Sequence, residues 1–112
     1  MTVMIADDNA RMRQVIRRML EASAEEIYEC CNGMEAVAMY AERRPDWVLM
    51  DIVMDTMDGL SAAKAITETH PNANILIITQ HDEPRLREEA ERSGAKGYIL
   101  KERLDEIIDI VR

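Results

Sequence analysis

The sequence predicts an α/β domain, a parallel sheet with helices over both faces. Two observations carry this. Five short apolar runs alternate with five segments of helical periodicity through short connections, and such alternation implies parallel pairing by right-handed crossovers. The third run, Trp47-Val48-Leu49-Met50, is apolar at every position. That suits a central parallel strand buried on both faces rather than a half-wet antiparallel one. A length of 112 residues fits one domain, residues 1–112, with a core large enough to need no staples.

The chain opens on Thr2 to Ala6, a short strand that ends at Asp7-Asp8-Asn9. Asp8 or Asn9 is placed to cap the next helix by accepting orphan backbone N–H groups. That helix is read from about Ala10 to Ala22. Met12, Val15, Ile16 and Met19 recur at helical spacing and face inward, with Arg11, Arg13, Arg17 and Arg18 on the other faces. Ala24-Glu25-Glu26 makes the turn. Ile27 to Cys31 is less apolar and is expected to be an edge strand. Asn32-Gly33-Met34-Glu35 reads as a cap with a glutamate three residues on. The second helix follows to about Glu42, with Met34, Val37, Tyr40 and Ala41 inward. Arg43-Arg44-Pro45-Asp46 then turns into the third strand, Trp47 to Met50, which runs straight into Asp51.

Asp58 or Gly59 starts the third helix, which carries Leu60, Ala63 and Ile66 inward and ends before Pro71. The fourth strand is Ile75 to Ile78, followed by Thr79. Asp82-Glu83-Pro84 opens the fourth helix, since proline is tolerated in a first turn. Between Glu83 and Ser93 only Leu86 and Ala90 are clearly inward and seven residues are charged. A helix so thinly anchored is a candidate for movement. Gly94 ends it, Gly97 to Leu100 forms the fifth strand, and the fifth helix runs from about Leu104 with Leu104, Ile107, Ile108 and Val111 inward.

A net charge of −8 argues against nucleic-acid or anionic-membrane binding by this domain. No apolar run is long enough to span a bilayer. The chain enters a strand at once, with no basic region or cleavage site of the secretory type, so a cytoplasmic location is expected. Cys30 and Cys31 are adjacent and point apart along a strand, which disfavours a disulfide between them.

In open parallel sheets, ligands bind outside the carboxyl ends of the strands. Asp7, Asp8, Asp51, Thr79 and Lys101 all fall there. Three clustered carboxylates repel one another unless a cation sits among them, and an all-oxygen set favours a hard ion, Mg2+. No His/Cys cluster of zinc type exists. His70 is expected at the surface, whereas His81 lies just past Thr79 and closer to the site. Phosphoryl chemistry uses every part: a carboxylate nucleophile, a metal and a lysine against the equatorial oxygens, and a hydroxyl donor. Neither G-x-G-x-x-G nor G-x-x-x-x-G-K-[ST] follows the first strand, so a nucleotide cofactor is not expected.

The set Asp7-Asp8, Asp51 with Met54, Met57, Asp58 and Gly59, then Thr79, then Gly97-Tyr98 with Lys101, resembles the receiver domain of two-component response regulators over essentially the whole chain. The resemblance implies a flavodoxin-like doubly wound five-stranded parallel sheet of order 2-1-3-4-5 with five helices. It also implies a phosphorylation-dependent signalling switch that catalyses its own phosphoryl transfer and dephosphorylation. Asp51 would accept the phosphoryl group from a sensor histidine kinase or phosphotransfer protein. Asp8, Asp51 and the Val53 carbonyl would ligate Mg2+, with Asp7 acting partly through water. Thr79 would bond a phosphoryl oxygen, Lys101 would pair with the phosphoryl group or the carboxylate, and Tyr98 would be the switch aromatic. The fourth helix, fifth strand and fifth helix would form the output surface, with homodimerisation through it a family expectation.

Three positions depart from the family pattern. Asp55 stands where proline is usual and is expected to face solvent. Glu102 stands where proline is common after the lysine, so a trans Lys101–Glu102 bond is expected. Lysine followed by a residue other than proline is frequent in the subfamily with a LuxR-type helix-turn-helix output, which hints at a transcription regulator whose DNA-binding domain lies outside this chain. Gln80 stands where a small residue is usual and is expected to narrow the donor's path. Val53 and His81 hold positions that set the lifetime of the aspartyl phosphate, and an apolar Val53 suggests slow decay. The rival readings are a stand-alone receiver, a pseudo-receiver and a phosphohydrolase. The last would need a second acid two residues after the nucleophile, where this chain has Val53.

Overall fold

The computed structural model describes residues 1–112. The strands are β1 (Thr2–Ala6), β2 (Glu26–Cys30), β3 (Trp47–Met50), β4 (Ile75–Thr79) and β5 (Gly97–Leu100). The helices are α1 (Ala10–Leu20), α2 (Gly33–Arg43), α3 (Gly59–Thr69), α4 (Pro84–Arg92) and α5 (Asp105–Val111), with a short 3-10 turn at Lys101–Arg103 before α5. The sheet is parallel throughout in the order β2-β1-β3-β4-β5. β2 lies at an edge, as its mixed composition predicts. The Lys101–Glu102 bond is trans, since the chain contains no cis peptide. No helix is long and apolar enough to cross a membrane.

Strand pleating splits the core across the two faces of the sheet. Met4, Met50, Ile75 and Ile77 meet Ala36, Tyr40, Ala62, Ala63, Ile66 and Ala90 on one side. Val3, Ile5, Leu49, Leu76 and Ile78 meet Ile16, Leu20, Ile107 and Val111 on the other. Every residue of β4 is buried. Removing one side chain's contact with water across such a strand stabilises the fold by about 1.5–3 kcal/mol.

Caps set the helix starts. The Asn9, Asn32 and Asp58 side chains accept from the Met12, Glu35 and Ser61 N–H groups at 3.1, 2.9 and 2.8 Å. Glu35 reaches back to the Cys31 N–H (2.9 Å) rather than to that of the cap residue. α4 has no side-chain cap, and Ala90 is its sole buried residue.

The faces of two helices differ from the periodicity reading. In α2 the buried stripe is Gly33, Ala36 and Tyr40, while Met34 is 59% exposed and Ala41 is exposed. The cause lies at Gly33, where a Cβ would stand 2.2 Å from the Met57 carbonyl oxygen. That contact presses residue 33 against the loop after β3 and turns Met34 outward. In α1, Ile16 and Leu20 are buried and Val15 is exposed. α1 also ends at Leu20, before Ala22, and β2 begins one residue earlier than read.

The loop between β3 and α3 is stitched to the start of α2. The Gly33 N–H donates to the Met57 carbonyl (3.0 Å), and Asn32 and Asp55 form an isolated β-bridge. The turn is made at Thr56, with φ 63°. A β-branched residue is disfavoured there by roughly 1–2 kcal/mol, whereas asparagine tolerates it. Thr56→Asn is therefore expected to raise stability by about 1 kcal/mol in urea denaturation. A loss of stability instead would mean that the Thr56 hydroxyl bond to the Asp55 carbonyl (2.6 Å) outweighs the backbone strain.

Candidate functional site

The residues that follow β1 and β3 meet the first residue of the 3-10 turn. Ligand oxygens of Asp7, Asp8 and Asp51 all lie within 4.8 Å of one another. Lys101 Nζ stands 3.1 Å from Asp7 Oδ2 and 3.2 Å from Asp51 Oδ2. Asp7 and Asp51 are buried, at 1% and 6% exposure, and Asp8 is exposed. The cluster opens into a cavity of about 200 Å³ lined by Asp8, Asn9, Asp51, Val53, Gln80, His81 and Lys101.

Local bonds orient the carboxylates. The Ile52 N–H donates to Asp51 Oδ1 (2.8 Å), leaving Oδ2 toward Lys101. The Asn9 N–H donates to Asp7 Oδ1 (2.8 Å). Asp7 Oδ2 is buried and accepts no hydrogen bond; its contact with Lys101 is an ion contact.

The titration of the cluster follows its charge. Burial, and after it the Asp7 charge, push the Asp51 carboxyl above its ordinary 3.8, against the opposing pull of Lys101 and the Ile52 N–H. Burial works against the Lys101 ammonium, but the Asp51 and Asp7 charges outweigh it and hold Lys101 above its ordinary 10.5. Lys101 holds its proton more tightly because of the carboxylate charges beside it, and Asp51 does so first because it is buried and then because of Asp7. Three carboxylates against one ammonium leave two uncompensated charges. An all-oxygen donor set with an unbonded buried oxygen and that charge fits a hard divalent cation such as Mg2+.

The other predicted residues sit as follows. Val53, Gln80 and His81 line the cavity. Thr79 is fully buried and does not line it. Its Oγ1 accepts from the His81 N–H (3.1 Å), which leaves the hydroxyl proton free to be donated. Tyr98 stands outside the cavity. Its hydroxyl donates to the His81 carbonyl, and the Arg87 guanidinium lies 4.5 Å over its ring. Asp55 faces solvent, as expected, and does not line the cavity; a bridge to Asn32 holds it. The His70 ring is only partly exposed and meets Tyr40 edge-on at 5.1 Å.

The family signature described as the response regulator receiver domain matches residues 3–112. The chain belongs to that family. This receiver domain is 41% identical over 99 residues to the chemotaxis protein CheY of Halobacterium salinarum, an alignment covering 88% of this chain and 82% of that protein. It is 38% identical to the transcriptional regulatory protein YdfI of Bacillus subtilis over 95% of this chain, which corresponds to half of that protein. Its structure superposes on a LuxR-family two-component response regulator from Aurantimonas with a TM-score of 0.89 at 30% identity, covering 96% of this chain and 79% of that one. The carboxylate cluster is thus a receiver-type phosphoacceptor site, and its donor set is that of a receiver Mg2+ site.

Two residues of this receiver domain's site escape sequence reading. Asn9 is legible as a helix cap, yet it also lines the cavity. Arg13 reads as a solvated charge, yet its Nη1 donates to the Asp7 carbonyl (2.6 Å) and its Nε to Glu29 (3.0 Å). The only signal was the four-residue spacing of Arg13 and Arg17, which puts both on one helix face. Their common partner, Glu29, lies on a neighbouring strand and is invisible to local pattern.

Proposed function

We propose that this chain is a signalling switch in which Asp51 takes a phosphoryl group from the phosphohistidine of a sensor kinase or phosphotransfer protein. The observation that carries the reading is the placement of Asp51: it lines an open cavity, with Oδ2 beside Lys101, in a cluster whose three carboxylates outnumber its one ammonium. An Asp51 oxygen gives an electron pair to form the O–P bond, the bond from phosphorus to the donor nitrogen breaks, and the donor leaves with the electron pair of that broken bond. Lys101 is in reach of the charge that accumulates on the phosphoryl oxygens, and Thr79 has one hydroxyl proton to give. Asp7, Asp8, Asp51 and the Val53 carbonyl would hold Mg2+, which supplies neutralising charge when bound. Dephosphorylation, attack of water on the phosphorus with release of inorganic phosphate and return of the Asp51 carboxylate, would take place in the same cavity beside Val53 and His81.

The output follows from a population shift. A phosphoryl group adds charge and acceptor oxygens at one point, Thr79 gains a partner, and the His81 peptide passes the change to Tyr98. The face of α4, β5 and α5 would then favour another arrangement and engage a partner or a second copy. Half-length coverage of YdfI and the likeness to a LuxR-family regulator support a transcriptional output through a DNA-binding domain outside this chain. A cytoplasmic location fits that role.

Incubation with Mg2+ and acetyl phosphate followed by intact mass tests the reading. A gain of one phosphoryl mass is expected, absent in Asp51→Asn and in a chelator. No adduct from acetyl phosphate or from any kinase would leave a folded receiver that does not accept phosphate. Gln80 lines the cavity, so Gln80→Ala is expected to speed labelling by acetyl phosphate several-fold. Equal rates would remove Gln80 as a barrier.

A further inference from the structure

We infer that Arg13 is a positioning residue for the metal-binding carboxylates, acting through the backbone of Asp7. This rests on the reading of Asp7, Asp8 and Asp51 as the Mg2+ site. Asp7 is fixed at three points. Its N–H donates to the Cys30 carbonyl (3.1 Å), its Oδ1 accepts from the Asn9 N–H (2.8 Å), and its carbonyl accepts from Arg13 Nη1 (2.6 Å). Oδ2 alone is left without a hydrogen bond, buried and facing the cluster. The first bond continues the β1–β2 pairing one residue past Ala6, and the second belongs to the β1–α1 turn. The third is the hydrogen bond that another residue's side chain makes to the Asp7 backbone; Lys101 touches Asp7 only as an ion contact at Oδ2 (3.1 Å).

That side chain is itself locked. Arg13 is 19% exposed, and its Nε is paired with Glu29 Oε1 at 3.0 Å. Glu29 is held from its other oxygen by Arg17 Nε at 2.7 Å, and Arg17 Nη2 donates to the Ile27 carbonyl (3.1 Å). The planar fork of Arg13 thus ties edge strand β2 to the residue that opens the acid cluster, with its bond directions set at both ends. Groups that orient metal ligands typically change metal affinity about 10- to 100-fold when removed, without touching the metal. Arg17 shares the same glutamate and the same helix face but makes no bond to Asp7, Asp8 or Asn9. It is therefore the internal control.

The test compares Arg13→Gln, Arg13→Lys and Arg17→Gln in the whole chain. Mg2+ affinity is measured by calorimetric titration, and backbone amide exchange at Asp8 and Asn9 is measured in metal-free protein. Arg13→Gln is expected to weaken Mg2+ about tenfold and to speed exchange at Asp8 and Asn9. Arg17→Gln is expected to leave both within twofold while lowering thermal stability by a similar amount. Arg13→Lys, which keeps a donor able to reach the Asp7 carbonyl, should recover part of the affinity and keeps the test open where Arg13→Gln folds poorly. Equal Mg2+ affinities for Arg13→Gln and Arg17→Gln, or no recovery in Arg13→Lys, would overturn the role of Arg13 while leaving the metal site standing. Absence of Mg2+ binding by the wild-type chain would overturn the site reading itself, and this inference with it.

Discussion

Gly59→Ala is expected to destabilise the domain by roughly 3 kcal/mol or more and to lower Tm by about 15 °C. A Cβ at position 59 would stand 1.7 Å from the Asp51 carbonyl oxygen, 2.8 Å from its carbonyl carbon and 2.9 Å from Met50 Cγ. Two of these neighbours are backbone, so no rotamer change relieves the overlap. The Gly59 N–H also donates to the Ile52 carbonyl (2.8 Å), which fixes the distance at which α3 begins. Alanine must therefore push either α3 away from the sheet or the tip of β3 off its line. The second outcome displaces the residue read as the phosphoacceptor, so the folded fraction should also label more slowly with acetyl phosphate. Thermal unfolding of the two proteins decides it. A Tm within a few degrees of wild type would mean that α3 and β3 do not approach as closely as described.

Asp51→Asn is expected to abolish phosphoryl acceptance and, at neutral pH without Mg2+, to stabilise the fold on the order of 1 kcal/mol. The stability gain follows from the raised pKa of Asp51, caused first by burial and then by Asp7. A carboxyl whose pKa is raised on folding resists ionisation, so its charged form works against the fold. The penalty is complete above the raised value, fades as pH falls through it, and is absent below the ordinary value of 3.8. The variant's Tm advantage should follow the same course, full at neutral pH and lost in acid. Mg2+ should narrow the gap from the other side, because it binds the folded wild type and stabilises it by mass action. Tm measured against pH, with chelator and with Mg2+, checks each part. A variant less stable than wild type at neutral pH in chelator would show that the Lys101 pair outweighs the burial of Asp51.

The strands were legible because full burial demands unbroken apolar runs. Their ends were legible as a site because alternating elements force parallel strands with one shared carboxyl edge. The strand order was not readable from local pattern, since nothing in β2 or β5 states its neighbour; it came with the family resemblance. Helix faces were read by spacing, and spacing fails where one contact dominates. At α2 a glycine pressed against a carbonyl sets the rotation, and Met34 turns outward despite its hydrophobicity. Asp55 is expected from the sequence to face solvent, and it does; the left-handed turn at Thr56 and the bridge to Asn32 that hold it there are not legible in the sequence. The long-range partner of Arg13, Glu29, lies one layer beyond what sequence spacing carries.

The stitching of the β3–α3 loop to the start of α2 gives the cavity one stiff jaw. Gly33, Asn32, Asp55 and Met57 are joined there by backbone bonds, and Gly33 leaves no slack against the Met57 carbonyl. The opposite jaw, Gln80 to Glu83 leading into α4, is tethered through the His81 peptide and backed by a helix with one buried residue. A group added in the cavity therefore meets a braced wall on the α2 side, and the side with give is that of α4.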